Sequence, residues 1–451
     1  MIHSGDTAFM FVCTGMVQFM TPGLAFFYGG LVRSTNVVSI MLQSFAAIGF
    51  VFVAWYVVGF SLAFGRSMGG FIGNPTSFPF WCHLPVHESL ESGINTNLDV
   101  PNIPGVLFAG YQGMFAVITP ALMTGAFADR MRWLPYIIFV SAWMLVVYAP
   151  VCHWVWGGGW MGNWGCWDFA GGIVVHVSSG FSALACLRVL GKRNLPEDPV
   201  AKEPHNVPFV ALGTAMLWFG WFGFNGGSSL KADGIAAVAA MNTQIAGSVS
   251  MTAWLLLEAF IGKKPGLVGA CVGAVAGLAT ITPAAGYVTV HSAFGIGLIA
   301  SVVCFACVFL IQRADLDDAL DVWGVHGMGG FTGTILVGAL AKPYINPGTA
   351  ERSFELVGIQ SVCAIIVAVY CFVVTSIILF ILDKTMKIRL PRKYEDALDA
   401  VMHGEQAYIT HKSSENLLAN GVVESSESDS SDTGDDKKAA ARRLKISAGA
   451  V

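Results

Sequence analysis

The sequence predicts an all-α polytopic membrane protein of eleven transmembrane helices, arranged as a 5+5 inverted repeat plus one C-terminal helix. Three observations carry this. Of 451 residues, 55% are hydrophobic and only 12% are charged, against about 25% charged in a soluble domain, and the mean hydropathy is +0.63. The apolar residues gather into eleven runs of roughly 20, the length that crosses a bilayer as a helix. Two histidines, His176 in GGIVVHVSSG and His326 in VWGVHGMGG, lie alone inside such runs, at matching places in the two halves.

The runs fall near 7–29, 39–64, 104–127, 134–154, 169–189, 207–225, 236–260, 266–283, 290–311, 323–341 and 356–382. The first has no basic region before it and is long enough to span, so it reads as a helix that stays rather than a cleaved leader. Basic residues then orient the chain. Arg33, Arg130, Arg132, Lys192, Arg193, Lys202, Lys263, Lys264 and Arg313 fall in loops on one side; Arg66, Lys231, Lys342 and Arg352 fall in longer loops on the other. After the last run come Lys384, Lys387, Arg389, Arg392 and Lys393. By the positive-inside rule the N-terminus is outside and the C-terminus cytoplasmic, which needs an odd number of spans. A unit of five repeated in tandem must invert, so runs 1–5 and 6–10 are expected to be related by an axis in the membrane plane, a relation that in transporters places the site at the repeat interface.

Composition assigns the remaining parts. Residues 1–383 form the membrane domain, 384–410 a cytoplasmic regulatory segment, and 411–451 an acidic, serine-rich tail, ESSESDSSDTGDDKK, too polar to bury a core and therefore read as disordered. Ser426 and Thr433 there carry an acidic residue three positions on, a pattern that suits a kinase, although a solvated tail accounts for it as well. The 52 glycines read as helix-packing positions. Cys304 and Cys307 make a C-x-x-C inside an apolar run, where buried thiols are the better reading than a redox or zinc motif. Cys82, Cys152 and Cys166 fall near the outer face, with no spacing that singles out a disulfide.

An ionisable group at membrane depth is costly and by default functional. One intramembrane histidine is often only a helix–helix hydrogen bond; two at equivalent places point instead to a shared task. Imidazole gives or takes a proton near neutral pH, so two touching rings can relay one through an apolar passage. Asp168 precedes the His176 run and fits an N-cap, with attraction of a cation as a compatible second role. Tyr111 and Phe115 in YQGMF, Trp156 in HWVWGGG and Ser228 in FNGGSS belong to three separate spans and lie near the outer side. Aromatic faces attract cations, although any single one of them fits an interfacial belt.

Seven ordered stretches then carry a resemblance. FMTPGLAFFYGGLVRSTNV, YQGMFAVITPALMTGAFADRMR, HWVWGGG, DFAGGIVVH, EPHNVPFVALGTAMLWFGWFGFNGGS, GACVGAVAGLATITPAAGY and DVWGVHGMGG lie in order between residues 19 and 330, within a resemblance that runs from about residue 7 to about 408. In them the chain resembles the ammonium transporter (Amt/Mep/Rh) family, on its Amt side. The resemblance implies an outer ammonium recruitment site lined by Trp156, Ser228 and Tyr111, the last standing where a phenylalanine is expected. It implies a gate of stacked Phe115 and Phe224, an Asp168 that holds the site together and assists recruitment, and a twin-histidine pore of His176 and His326. Some fungal members replace the first histidine with glutamate; this chain keeps both. Asp321 matches a family aspartate and reads as structural. A homotrimer is implied, with segment 384–408 packed under neighbouring subunits and coupling them. Bacterial relatives are blocked there by a PII protein; for this chain a kinase is a fair substitute.

The functional expectation is an ammonium transporter in the plasma membrane. It recruits NH4+, deprotonates it, passes NH3 through an apolar pore and the proton through the histidines, moving one net charge. A bare ion in such a passage costs on the order of tens of kcal/mol, and nothing here resembles a carbonyl-ring potassium filter. No cofactor, metal or nucleic-acid partner is expected, and no nucleophile–base–orienter set points to an enzyme. The rivals are an ammonium sensor and an electroneutral NH3/CO2 channel.

Overall fold

The structure is a computed structural model, and it describes residues 2–88, 103–195 and 203–408. Every expected run is a helix. These are α1 (Ser4–Leu31), α2 (Val37–Phe64), α3 (Gly105–Phe127), α4 (133–155), α5 (Gly172–Leu190) and α6 (Val207–Ser229). They continue as α7 (Gly234–Phe260), α8 (Leu267–Ile281), α9 (Val290–Arg313), α10 (323–340) and α11 (Phe354–Met386). Among the described residues, eight of them are long and apolar enough by themselves to cross a membrane. The only sheet there is a two-residue antiparallel hairpin, Ser67–Met68 with Ile72–Gly73, in the α2–α3 connection.

Three helices depart from a plain apolar rod, and each has a reason. Helix α7 carries Asn242, Thr243 and Gln244 in its middle. Helix α8 stops at Ile281, short of the expected 283, and the chain continues as turns to Tyr287. Irregular backbone at this depth survives only where its polar groups are met inside the protein. Asn242 meets them: its Nδ2 donates to Ala285 O and Val288 O, both at 2.8 Å. Helix α10 is short and glycine-rich because it threads the centre.

Small residues set the helix crossings. A Cβ on Gly213 of α6 would stand 2.2 Å from Phe27 N of α1, and one on Gly180 of α5 only 2.1 Å from Gly327 Cα of α10. The first helix of one half thus packs on the first of the other, and the fifth on the fifth. Around these crossings lies one continuous hydrophobic core, while large apolar side chains such as Phe11, Phe294 and Phe380 remain exposed on the outer helix faces.

Helix α11 runs three residues past the expected domain limit of 383, to Met386. Lys387, at φ 57°, then turns the chain. Ile388 O accepts from Arg132 N at 2.9 Å and Leu390 N donates to Arg130 O at 2.8 Å, fastening the segment to the α3–α4 turn. Further on, Asp399 caps α2: its two oxygens accept from Val38 N at 3.0 Å and Ser39 N at 2.8 Å. Residues 409–451, with the expected acidic tail, Ser426 and Thr433, lie outside the described residues. All ten cysteines are free thiols; Cys304 and Cys307 are buried on α9, Cys152 and Cys166 are buried, and Cys82 is exposed.

Candidate functional site

The histidine helices begin alike. Asp168 stands eight residues before His176, and Asp318 eight before His326. Both carboxylates receive backbone N–H groups that open a helix. Asp168 Oδ1 accepts from Gly171 N (2.8 Å) and Gly172 N (2.7 Å), and its Oδ2 from Ile173 N (2.7 Å) and Val174 N (3.2 Å). Asp318 Oδ2 accepts from Trp323 N at 2.8 Å. The cap in the second half is therefore Asp318, and Asp321, which the sequence singled out, has no such bond shown. The equal spacing was the signal available. Both lie before α10, where burial pushes Asp318 up to about 6, and burial with the Asp318 charge pushes Asp321 up to about 7.

Each capped helix opens with a widened π turn, Gly172–Val177 in α5 and Trp323–Gly327 in α10. Such turns recur at functional sites. In the first, His176 N reaches back five residues to Gly171 O at 3.0 Å. Gly171 itself has φ +113°, and a Cβ there would strike Val175 at 2.7 Å. The turns aim both imidazoles inward. The Gly180–Gly327 crossing then brings the rings together: His176 Nδ1 lies 3.3 Å from His326 Nδ1, with ring planes 19° apart. A Cβ on Gly330 would meet His176 Cβ at 2.5 Å, so glycine is required there too. Both histidines are buried, and His176 Nε2 has no hydrogen-bond partner within the protein.

That nitrogen belongs to the lining of a cavity formed by both histidines, Trp221, Phe224 and hydrocarbon side chains such as Leu24, Phe27, Ile118 and Val275. It leaves about 10 Å³ for the centre of a water-sized molecule, room for about one. Trp221 is a lining residue that the sequence reading missed. It stacks on His176 at 5.7 Å and is held by Nε1 donating to Thr282 Oγ1 at 3.0 Å. Only its place four residues before Asn225, in WFGFN, hinted at it.

On the His176 side of the cavity stand the remaining predicted residues, all brought together. Phe115 stacks on Phe224 with centroids 4.2 Å apart, and Phe224 lies 6.2 Å from the His176 ring. Trp156 meets Phe115 edge-on at 6.0 Å, its Nε1 donating to Asp168 O at 2.8 Å. Tyr111 meets Phe115 at 5.0 Å and Ser228 Oγ at 3.4 Å. Ser228 is half-buried and donates to Phe224 O at 2.8 Å, which leaves its lone pairs free to accept. Two of the expected residues have their polar groups engaged within the protein. The Asp168 oxygens are taken up by four backbone N–H groups, so its direct task is capping. Tyr111 is fully buried, and its hydroxyl faces Gly223 O (3.0 Å) and Phe224 O (2.9 Å) rather than an open site.

On the opposite face a polar cluster ties the loops. Arg193 pairs with Asp317 at 2.7 Å, and both it and Arg33 approach Asp129, at 3.7 and 3.5 Å. Arg193 holds the Asp317 carboxyl down to about 2 despite burial.

The profile of the Ammonium Transporter Family matches residues 8–408. An ammonium transporter of Bacillus subtilis is 44% identical over 415 residues, covering 90% of this chain and 99% of its own length. Ammonium transporter 1 of Dictyostelium discoideum is 40% identical over 412 residues, covering 90% and 87%. Among solved structures, Saccharomyces cerevisiae Mep2 superposes with a TM-score of 0.79 at 35% identity, covering 86% of this chain and 88% of its own. By sequence along nearly its whole described length and by fold, the chain belongs to the ammonium transporter family, whose members are membrane transporters rather than enzymes.

Proposed function

We propose that the chain carries ammonium by splitting it. Trp156 and Ser228 receive NH4+ at the face that carries the N-terminus, through an aromatic surface and a hydroxyl acceptor. Phe115 and Phe224 are the gate. Beyond it NH3 moves through the apolar cavity while the proton passes along His176 and His326. The observation that carries this is the 3.3 Å Nδ1–Nδ1 contact at a cavity sized for one small molecule. Two facing ring nitrogens cannot both accept, so one must carry the hydrogen between them. In the neutral pair the donating ring then has a bare Nε2 and the accepting ring an Nε2–H. A proton taken at the bare nitrogen moves the shared hydrogen across and releases another at the far ring. Potassium has no proton to give up and meets the full cost of desolvation.

The same reading places the chain in the plasma membrane with its N-terminus outside, as a homotrimer. Segment 387–408 is its cytoplasmic regulatory element, open to a kinase or a PII-type protein. The gathering of Arg33, Arg130, Arg193 and Arg389 on one face supports that orientation.

The test is the current evoked by ammonium in liposomes across a pH series, with potassium as control. A saturating current with ammonium and none with potassium is expected. Ammonia flux without current would make the chain a gas channel. Neither signal would favour a sensor, a role printed for one structural neighbour, a sensor Amt protein with a TM-score of 0.79 and 29% identity.

A further inference from the structure

The buried hydroxyl of Tyr111 has a place that a recruitment role does not explain. Tyr111 sits on α3 with its ring against Phe115 at 5.0 Å. Its Oη reaches 3.0 Å from Gly223 O and 2.9 Å from Phe224 O. Both carbonyls belong to the π turn Phe222–Gly226 of α6. A widened turn shifts the register of the helical ladder, and its carbonyls meet other donors: Gly223 O accepts from Gly227 N, and Phe224 O from Ser228 Oγ at 2.8 Å. A carbonyl oxygen has two lone pairs, and the Tyr111 hydroxyl meets the second on each of these two. One O–H shared between two adjacent carbonyls is an ordinary three-centre bond. The fit is close: a Cβ on Gly227 would stand 2.7 Å from the Tyr111 Oη, so glycine there leaves room for the hydroxyl.

We infer that Tyr111 is a positioning residue whose hydroxyl anchors the closed gate, pinning the backbone of Phe224 while its ring backs Phe115. Both halves of the stack are then held by one side chain from α3. Phenylalanine at this position would keep the ring contact and lose the pin. The inference rests on the reading of Phe115 and Phe224 as a gate, and the test separates the two.

The test uses Tyr111→Phe, Phe224→Ala and the double variant, in the full-length chain. Uptake of labelled methylammonium is normalised to the protein present in the membrane. With the hydroxyl gone the closed stack loses about one hydrogen bond, and maximal uptake is expected to rise roughly threefold to tenfold. The half-saturating concentration should stay within about twofold, because Trp156 and Ser228 are untouched. In the Phe224→Ala background the same substitution should change nothing further: the backbone carbonyl remains, but there is no ring for the pinned backbone to hold in the stack. An unchanged or reduced maximal rate in Tyr111→Phe overturns the inference. So does an increase that persists undiminished beside Phe224→Ala, which leaves the gate reading standing. If Phe224→Ala alone leaves uptake and potassium exclusion unaltered, the gate reading fails and the inference falls with it.

Discussion

Asp168 is 3% exposed and holds four backbone N–H groups on two oxygens. Asp168→Ala strands those donors in a buried place and is expected to destabilise the fold by at least about 2 kcal/mol. Asp168→Asn, keeping one acceptor oxygen, should fall between. Thermal unfolding in detergent checks the order, and an alanine variant as stable as the parent would contradict the capping role. For the histidines, His176→Ala with His326→Ala should abolish the choice of ammonium over potassium in charge movement; if the choice survives, no relay runs through them. These residues were legible in the sequence because a lone polar group in an apolar run has so few permitted reasons to be there. Tyr111 was less so. Its residue type is visible in the sequence, but whether a hydroxyl faces water or a carbonyl depends on a distortion of α6 that local propensity does not encode.

Elements were easier to read than their irregularities. Eleven apolar runs became eleven helices, since length and hydropathy decide that much. The π turns of α5, α6 and α10 left no mark in the apolar pattern, because an added residue in one turn alters it little. Packing glycines can be tested against idle ones. Gly180→Ala would drive its Cβ to 2.1 Å from Gly327 Cα, whereas nothing lies within 4 Å of a Cβ on Gly358. The first should force α5 from α10, part the imidazoles and abolish uptake; the second should leave uptake and stability unchanged. Comparing uptake per inserted molecule in the two variants decides it. The segment after α11 adds a pH dependence. Burial, against backbone donors at Ser39 and Val38, pushes Asp399 up to about 7, with Asp129 also raising it. Around it stand Arg33 and Asp129 from the neighbouring loops and Glu395, His403 and Glu405 from its own segment; Arg33 lies 3.5 Å from Asp129. A carboxyl whose docked pKa exceeds its free value favours docking when protonated. Docking onto α2 should therefore tighten as pH falls through about 7 towards 4, and loosen above 7. Hydrogen exchange at Val38 and Ser39 should slow accordingly, and Asp399→Asn should flatten the response.

Across the whole molecule, the end of the His176 helix is joined to the segment that follows the last span. Arg389 donates to Leu190 O and Lys192 O, and is matched by buried Glu395 at 2.9 and 2.6 Å, which also accepts from Asn194 N at 2.7 Å. Glu395→Ala leaves Arg389 without its carboxylate and should cost on the order of 3 kcal/mol, seen as a lower unfolding temperature; Glu395→Gln should recover part of it. The positive-inside rule read Arg389 only as a count; its bonds to two backbone carbonyls nearly 200 positions away are a product of the fold. The small cavity beside the histidines has a consequence for traffic. On the proposed route through it, room for about one occupant admits no overtaking and no push from a second molecule behind the first. Labelled molecules entering and unlabelled ones leaving must take turns, so a raised concentration on the far side should slow inward tracer movement even where no net gradient remains.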